Sequence, residues 1–199
     1  MSRVIAGITT SVDGYVTGPD DGPGCGLGVG GERLHNWVMG GPWTYEGEHT
    51  FAMSEEDRAF YDDYVANIGS GVVGRGMYDA SGAWGGTNPF GGILHVVTHR
   101  TEDAPDPSTG FVFVDDFDRA IELARESAGD RDVAISGGAD VIRQGLRGGY
   151  VDVLEVSTAP VILGQGKRLF EGFEQDLDLE KVNVHSSQWA THLTYDVKR

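Results

Sequence analysis

Cysteine is almost missing from this chain. Cys25 is the one thiol among 199 residues, so no internal disulfide can form. No Cys/His cluster has the spacing of a zinc site, and no metal centre is expected. Cys25 sits in a glycine loop with no basic neighbour to activate it, which argues against a nucleophilic role. Basic residues are scarce too: 15 Lys and Arg stand against 31 Asp and Glu, a net charge of −16. So acidic a chain is unsuited to nucleic acid or to an anionic membrane surface, both of which call for a basic face. No run reaches the roughly 18 apolar residues of a membrane-spanning helix. Residues 1–10 carry no cleavage-site pattern, and the expected location is the cytoplasm. The pattern G-x-S-x-G is absent, which weakens a serine-hydrolase reading.

What the chain does have is glycine, 31 residues, and 39% hydrophobic residues. The apolar content is enough for a sizeable core, and the length suits a single domain over residues 1–199. Residues 3–10 read as a strand, and the glycine-rich stretch 18–31 as a loop. Residues 32–39 read as a short helix, 40–50 as a further loop, and Ser54-Glu55-Glu56-Asp57 as a capping box opening a helix to about residue 67. Strands are expected at 71–74, 93–98, 111–114, 132–136 and 151–157, and two long ones at 177–185 and 187–197 form a terminal hairpin. Helices are expected near 75–80, over 115–128 and over 139–146. In the second, Phe117, Ala120, Ile121, Ala124 and Ala128 fall on one face, with Gly129 as the stop. Strand–helix–strand alternation predicts an α/β fold with a mostly parallel sheet, made mixed by the antiparallel hairpin.

Four segments carry the chemistry. Gly26-Leu27-Gly28-Val29-Gly30-Gly31 satisfies G-x-G-x-x-G, but the residues before it cannot form a buried strand, so it reads as a flexible loop. Ser136-Gly137-Gly138-Ala139-Asp140 follows an apolar strand and opens a helix. Such a junction either seats a phosphate on free N–H groups or simply permits a tight turn. Gly74-Arg75-Gly76 adds a guanidinium at another strand end, and Thr98-His99-Arg100 adds a hydroxyl, an imidazole and a second guanidinium at a third. Together these strand ends form a candidate seat for a polyanion such as NADPH. Asp13, in an Asp-Gly pair after the first strand, is either a turn residue or a group that orients substrate or relays a proton. Trp84 either stacks on a flat ligand ring or anchors its loop.

These motifs, in the order Thr10-Ser11-Val12-Asp13-Gly14-Tyr15, Gly74-Arg75-Gly76-Met77-Tyr78, Val97-Thr98-His99-Arg100 and Ser136-Gly137-Gly138-Ala139, resemble the dihydrofolate-reductase-like superfamily. Residues 146–155 and Pro160-Val161-Ile162-Leu163-Gly164-Gln165-Gly166-Lys167-Arg168-Leu169-Phe170 are similar, more closely, to the C-terminal reductase domain of the bifunctional riboflavin-biosynthesis deaminase–reductase. The resemblance implies a three-layer fold with about eight strands, NADPH across the carboxyl edge of the sheet, and a homodimer. It places Gly74 and Arg75 at the adenosine side and pyrophosphate, and Thr98, His99 and Arg100 near the 2′-phosphate. Gly137, Gly138, Ala139 and Asp140 fall at the pyrophosphate, and Gly164 and Gly166 near nicotinamide and substrate. The resemblance also implies hydride transfer to a small pterin- or aminopyrimidine-like substrate. Two departures stand out. The only acid on the 32–39 helix, where the reductases of folate carry a pterin-binding carboxylate, is Glu32 at its start. The first strand lacks the lysine of the riboflavin reductases. A non-catalytic nucleotide- or metabolite-binding protein of the same fold is the alternative.

Overall fold

The computed structural model describes residues 2–47 and 49–198. Eight strands form one sheet in the order β5-β4-β3-β6-β1-β7-β10-β9. They are β1 (Val4–Ser11), β3 (Ile68–Gly74), β4 (Ile93–Val97), β5 (Phe111–Val114), β6 (Asp132–Ile135), β7 (Val153–Ala159), β9 (Leu179–Ser186) and β10 (Thr191–Val197). The pairings from β5 across to β7 are all parallel. Only β7–β10 and β10–β9 are antiparallel, which makes the sheet mixed. A short antiparallel pair, β2 (Tyr15–Thr17) with β8 (Lys167–Arg168), stands apart from it.

Strand alternation sends side chains to two faces, and each face is covered. Val4, Ala6, Val72, Val133, Ile135 and Leu154 point to α4 (Phe117–Ala128) and α5 (Ala139–Arg147), whose apolar stripes complete the main core. All five periodic residues of α4 are buried, and Asp116 caps the helix by accepting the Arg119 N–H at 2.8 Å. The opposite face is covered by α1 (Asn36–Met39), α2 (Glu55–Val65) and α3 (Arg75–Ala80). There Trp37, Val38, Phe60 and Ala190 form one cluster, and Val73, Leu94, Val96 and Phe111 a second. Among the described residues no helix is long and apolar enough to cross a membrane.

The expected elements appear with small boundary shifts, and three details differ. The 32–39 helix is a 3₁₀ turn over Gly31–His35 running into α1. The glycine-rich stretch before it is tied by backbone bonds, Gly18 N–H to Leu27 C=O at 2.7 Å and Val29 N–H to Pro19 C=O at 2.8 Å. The β2–β8 pair has no forecast in the sequence, because its strands are only three and two residues long.

Gly166 explains how that pair is held. Its φ is +125°, a region that side chains disfavour, and a Cβ there would collide with the Thr17 carbonyl oxygen. Gly164, at φ +76°, would instead point a Cβ into open space. Gly166→Ala is therefore expected to cost at least about 3 kcal/mol, and Gly164→Ala only about 1–2 kcal/mol. Urea unfolding midpoints of the two variants measure the difference, and equal losses would refute this packing account.

Candidate functional site

In parallel sheets, backbone N–H groups and loop side chains converge at the carboxyl ends of the strands. Here those ends border one large cleft of about 1860 Å³. Gly74 at the end of β3 donates its N–H to the Gly137 carbonyl at 2.8 Å, which clasps β3 to the turn after β6. The Gly137–Gly138 peptide is cis, and Gly138 is the N-cap of α5. A Cβ on Gly138 or Gly76 would meet nothing within 4 Å, so both leave bare backbone facing open space. Ala139 and Asp140 follow in the first turn of α5 and line the cleft. Asp140 is engaged by Gln144 at 2.7 Å and Arg143 at 3.4 Å.

Arg75, Thr98, His99 and Arg100 line the same end of the cleft, so the three expected strand ends do come together. Thr98 is buried and its hydroxyl accepts the Arg100 N–H at 3.1 Å. Arg75 lies beside Phe113 and Tyr78, with its guanidinium carbon 5.2 and 5.8 Å from the ring centroids. Its Nη1 is buried and has no hydrogen-bond partner among the described residues. Trp84 also lines the cleft, in a left-handed backbone conformation, and stacks on Phe111 at 6.1 Å.

Asp13, Gly137, Gly164, Gly166 and Glu32 are not among the residues lining the cleft, and Gly137 instead packs against Met77 and Ile8. Asp13 accepts from the Ser11 hydroxyl at 2.6 Å, Leu163 N–H at 3.1 Å and Gly164 N–H at 2.8 Å. These bonds, the Ser11 one foremost, hold its pKa down to about 2. Asp13 thus buckles the end of β1 to the 161–166 loop. Glu32 contributes its backbone carbonyl, which accepts from Trp43 Nε1 at 2.7 Å.

Beneath the cleft lie residues to which sequence reading assigned no site role. Ser157 lines the cleft, and its Oγ lies 2.6 Å from His192 Nδ1. His192 Nε2 lies 2.9 Å from Asp57 Oδ1, and the Ser54 hydroxyl donates to Asp57 Oδ2 at 2.9 Å. The carboxylate only accepts, which assigns the imidazole hydrogen to Nε2 and makes Ser157 the donor to Nδ1. Phe60 stacks on the imidazole at 4.1 Å and Trp37 meets it edge-on at 4.9 Å. Burial pulls the His192 pKa below its ordinary value, against the opposing effect of Asp57. Trp37 Nε1 also donates to Thr9 Oγ1 at 3.1 Å, beside Ser157 across the β1–β7 pairing. His35 also lines the cleft, and burial lowers its pKa to about 4.

Glu155 completes the floor. It is 9% exposed, Oε1 lies 3.4 Å from Thr194 Oγ1, and Oε2 has no partner among the described residues. It lines both the cleft and a neighbouring cavity of about 340 Å³. Burial pushes its pKa up to about 7, only partly offset by Thr194 and the charge of Arg3, while Asp63 adds to the rise.

The fold and this cleft define a class. A family model for the RibD C-terminal domain matches residues 2–193, and the chain belongs to that family. It is 26% identical over 151 residues to the uncharacterized protein YyaP of Bacillus subtilis (strain 168), covering 70% of this chain and 79% of that one. A putative riboflavin biosynthesis protein from Shewanella sp. PV-4 superposes with a TM-score of 0.72 at 18% identity, over 100% of both chains. Dihydrofolate reductase from Enterococcus faecalis, complexed with NADP(H) and RAB-propyl, superposes with a TM-score of 0.63 at 15% identity, over 99% of this chain and 97% of that one. These likenesses establish a dihydrofolate-reductase-like fold.

The buried Glu155 contributes a share of stability that falls with pH. The unfolded residue releases its proton near 4.5 and the folded one near 7, so between these values the folded chain holds the extra proton. Glu155's own share of folding stability should drop by about 2–3 kcal/mol as pH rises through that window, against the opposite slope from His35, His95 and His192, whose pKa values burial lowers. Glu155→Gln should remove that share of the slope. Parallel pH series of denaturant unfolding for the two proteins that ran with equal slopes would show Glu155 to be solvated in solution.

Proposed function

We propose that this chain is an NADPH-dependent reductase acting on a small nitrogen heterocycle of the pterin or aminopyrimidine type. The observation that carries the reading is the convergence of three strand ends on one cleft: Gly74-Arg75, Thr98-His99-Arg100 and the turn at Ser136 and Gly138 that opens α5. Membership of the RibD C-terminal domain family supports a reductase, and the NADP(H) complex of the Enterococcus faecalis enzyme supports this cofactor. The residues fit it. The bare backbone of Gly138 and Gly76 leaves room for pyrophosphate, and the buried, unpartnered Nη1 of Arg75 suits an adenosine-side phosphate. Thr98, His99 and Arg100 flank that phosphate, and Ala139 and Asp140 border the pyrophosphate. Asp13, Gly164 and Gly166 act by shaping the loop that carries the cleft residues Lys167 and Arg168. Bound there, the dinucleotide supplies the hydride, while the chain binds, orients and excludes water. The substrate ring takes the aromatic floor beside Trp37, Phe60 and Tyr64, and Trp84 walls the adenosine side. A second reading is binding without turnover: Asp57, the buried acid of α2 beneath the aromatic floor, does not line the cleft, and both of its oxygens are engaged, by Ser54 and His192.

We further propose a homodimer formed through the terminal hairpin. Edge strand β9 exposes Leu179, Val182 and Val184, an apolar edge of the kind that folded proteins cover.

Two measurements test these readings. NADPH oxidation, followed by absorbance against a panel of pterins and aminopyrimidines, should find a substrate. Arg75→Ala should weaken NADPH binding about tenfold and NADH binding less than about twofold. NADPH binding without turnover of any compound would favour the second reading, and no binding would refute both. Light scattering should return twice the chain mass of 21.3 kDa, and the single mass would remove the dimer.

A further inference from the structure

The two arginines of the cleft do not stand alone. Arg75 Nε pairs with Asp79 Oδ1 at 2.7 Å, and Asp79 Oδ2 pairs with Arg100 Nη2 at 3.2 Å. Arg100 Nε lies 3.8 Å from Asp103 Oδ2, which returns to Arg75 Nη2 at 3.1 Å. The four side chains close a ring of alternating sign whose formal charges cancel. The arginines line the cleft and the aspartates stand behind them, outside its lining. Three further aspartates, Asp115, Asp116 and Asp118, line the cleft near the ends of β4 and β5.

Two consequences follow for a phosphate arriving from the cleft. The first is geometric. A guanidinium grips a phosphate best with two parallel N–H groups, and on Arg75 the Nε and Nη2 edge is already taken by carboxylates. Only Nη1 is unpaired, and it is buried, so a phosphate gains at most one hydrogen bond there in place of a fork. The rings of Phe113 and Tyr78 flank the guanidinium, and its side chain is only 19% exposed, so it has little freedom to present another edge. The second is electrostatic. Each aspartate repels a phosphate dianion from only a few ångströms beyond the arginine that attracts it, so much of the attraction is cancelled.

We propose that Asp79 and Asp103 are specificity-determining residues that hold down the preference of this site for a phosphorylated adenosine ribose. NADPH and NADH then bind within about tenfold of each other. This rests on the reading that the cleft takes a nicotinamide dinucleotide, and it corrects the simpler expectation that Arg75 and Arg100 act as free cations.

The test is calorimetric titration of NADPH and NADH into wild type, Asp79→Asn and Asp103→Asn at low salt, with melting curves to confirm folding. Each Asn variant should tighten NADPH binding by about five- to tenfold and change NADH binding by less than about twofold. Asp103 belongs to a separate 3₁₀ turn outside α3, so its variant reports even where Asp79→Asn unfolds the short helix. Binding of both cofactors with an unmoved ratio in the folded variants would overturn the proposal and leave the dinucleotide reading standing. A wild-type preference for NADPH above about a hundredfold would overturn it as well. Binding of neither cofactor would overturn the dinucleotide reading, and this proposal with it.

Discussion

The Gly74 N–H donating to the Gly137 carbonyl is the bond on which the cleft depends. β3 and β6 are parallel neighbours, and their chains leave the sheet at the same edge. Without a tie there, the turn before α3 and the turn before α5 would be free to splay. With it, a guanidinium-bearing turn and the N-terminus of a nine-residue helix are set side by side on rigid elements. Gly138 leaves open space beside this junction, while Gly137 lets Met77 and Ile8 pack close against the turn. The same logic extends outward: Thr98 N–H donates to the Val114 carbonyl at 2.8 Å, adding the β4 end to the rim.

Beneath this rim the chain buries polar groups and pairs nearly all of them. Ser54, Asp57, His192 and Ser157 form a continuous hydrogen-bonded row linking α2, β10 and β7. Buried polar groups are tolerated when satisfied and costly when not, so the row fixes how α2 sits on the sheet. Glu155 is one exception among the described residues, with Thr17, Asn36 and Arg75, and its pKa is raised by burial. A buried carboxyl so poised, two residues from Ser157 on the same strand face, gives the floor a titratable group near neutrality.

Much of the fold was legible in the chain because local rules agreed with the global one. The apolar stripe of 117–128, the Asp116 cap, the Ser54 capping box and the apolar strand running into Gly137-Gly138 each act within a few residues. The rim of the cleft was legible for the same reason, since each part is a strand end followed by a turn. The floor was not. Asp57 and His192 are 135 residues apart, and no spacing rule connects a capping-box aspartate to a histidine in a terminal hairpin. Glu155 alternates with apolar neighbours as a solvent-facing residue would, yet α2 and the hairpin cover that face. The ring around Arg75 was hidden too: Asp79 is its helical neighbour four residues on, but Asp103 and Arg100 come from the far side of β4. The 32–39 segment comes first among the helices, but the helix that enters β3 is α2, which carries the buried Asp57.

The central claim is that a nicotinamide dinucleotide lies across the carboxyl ends of β3, β6 and β4. The most direct measurement is a residue-resolved amide NMR titration with NADPH. The account predicts that the largest shifts fall on Gly74 to Gly76, Thr98 to Arg100 and Gly137 to Asp140, with the β9 edge silent. Shifts confined to other surfaces, or none at saturating NADPH, would contradict it.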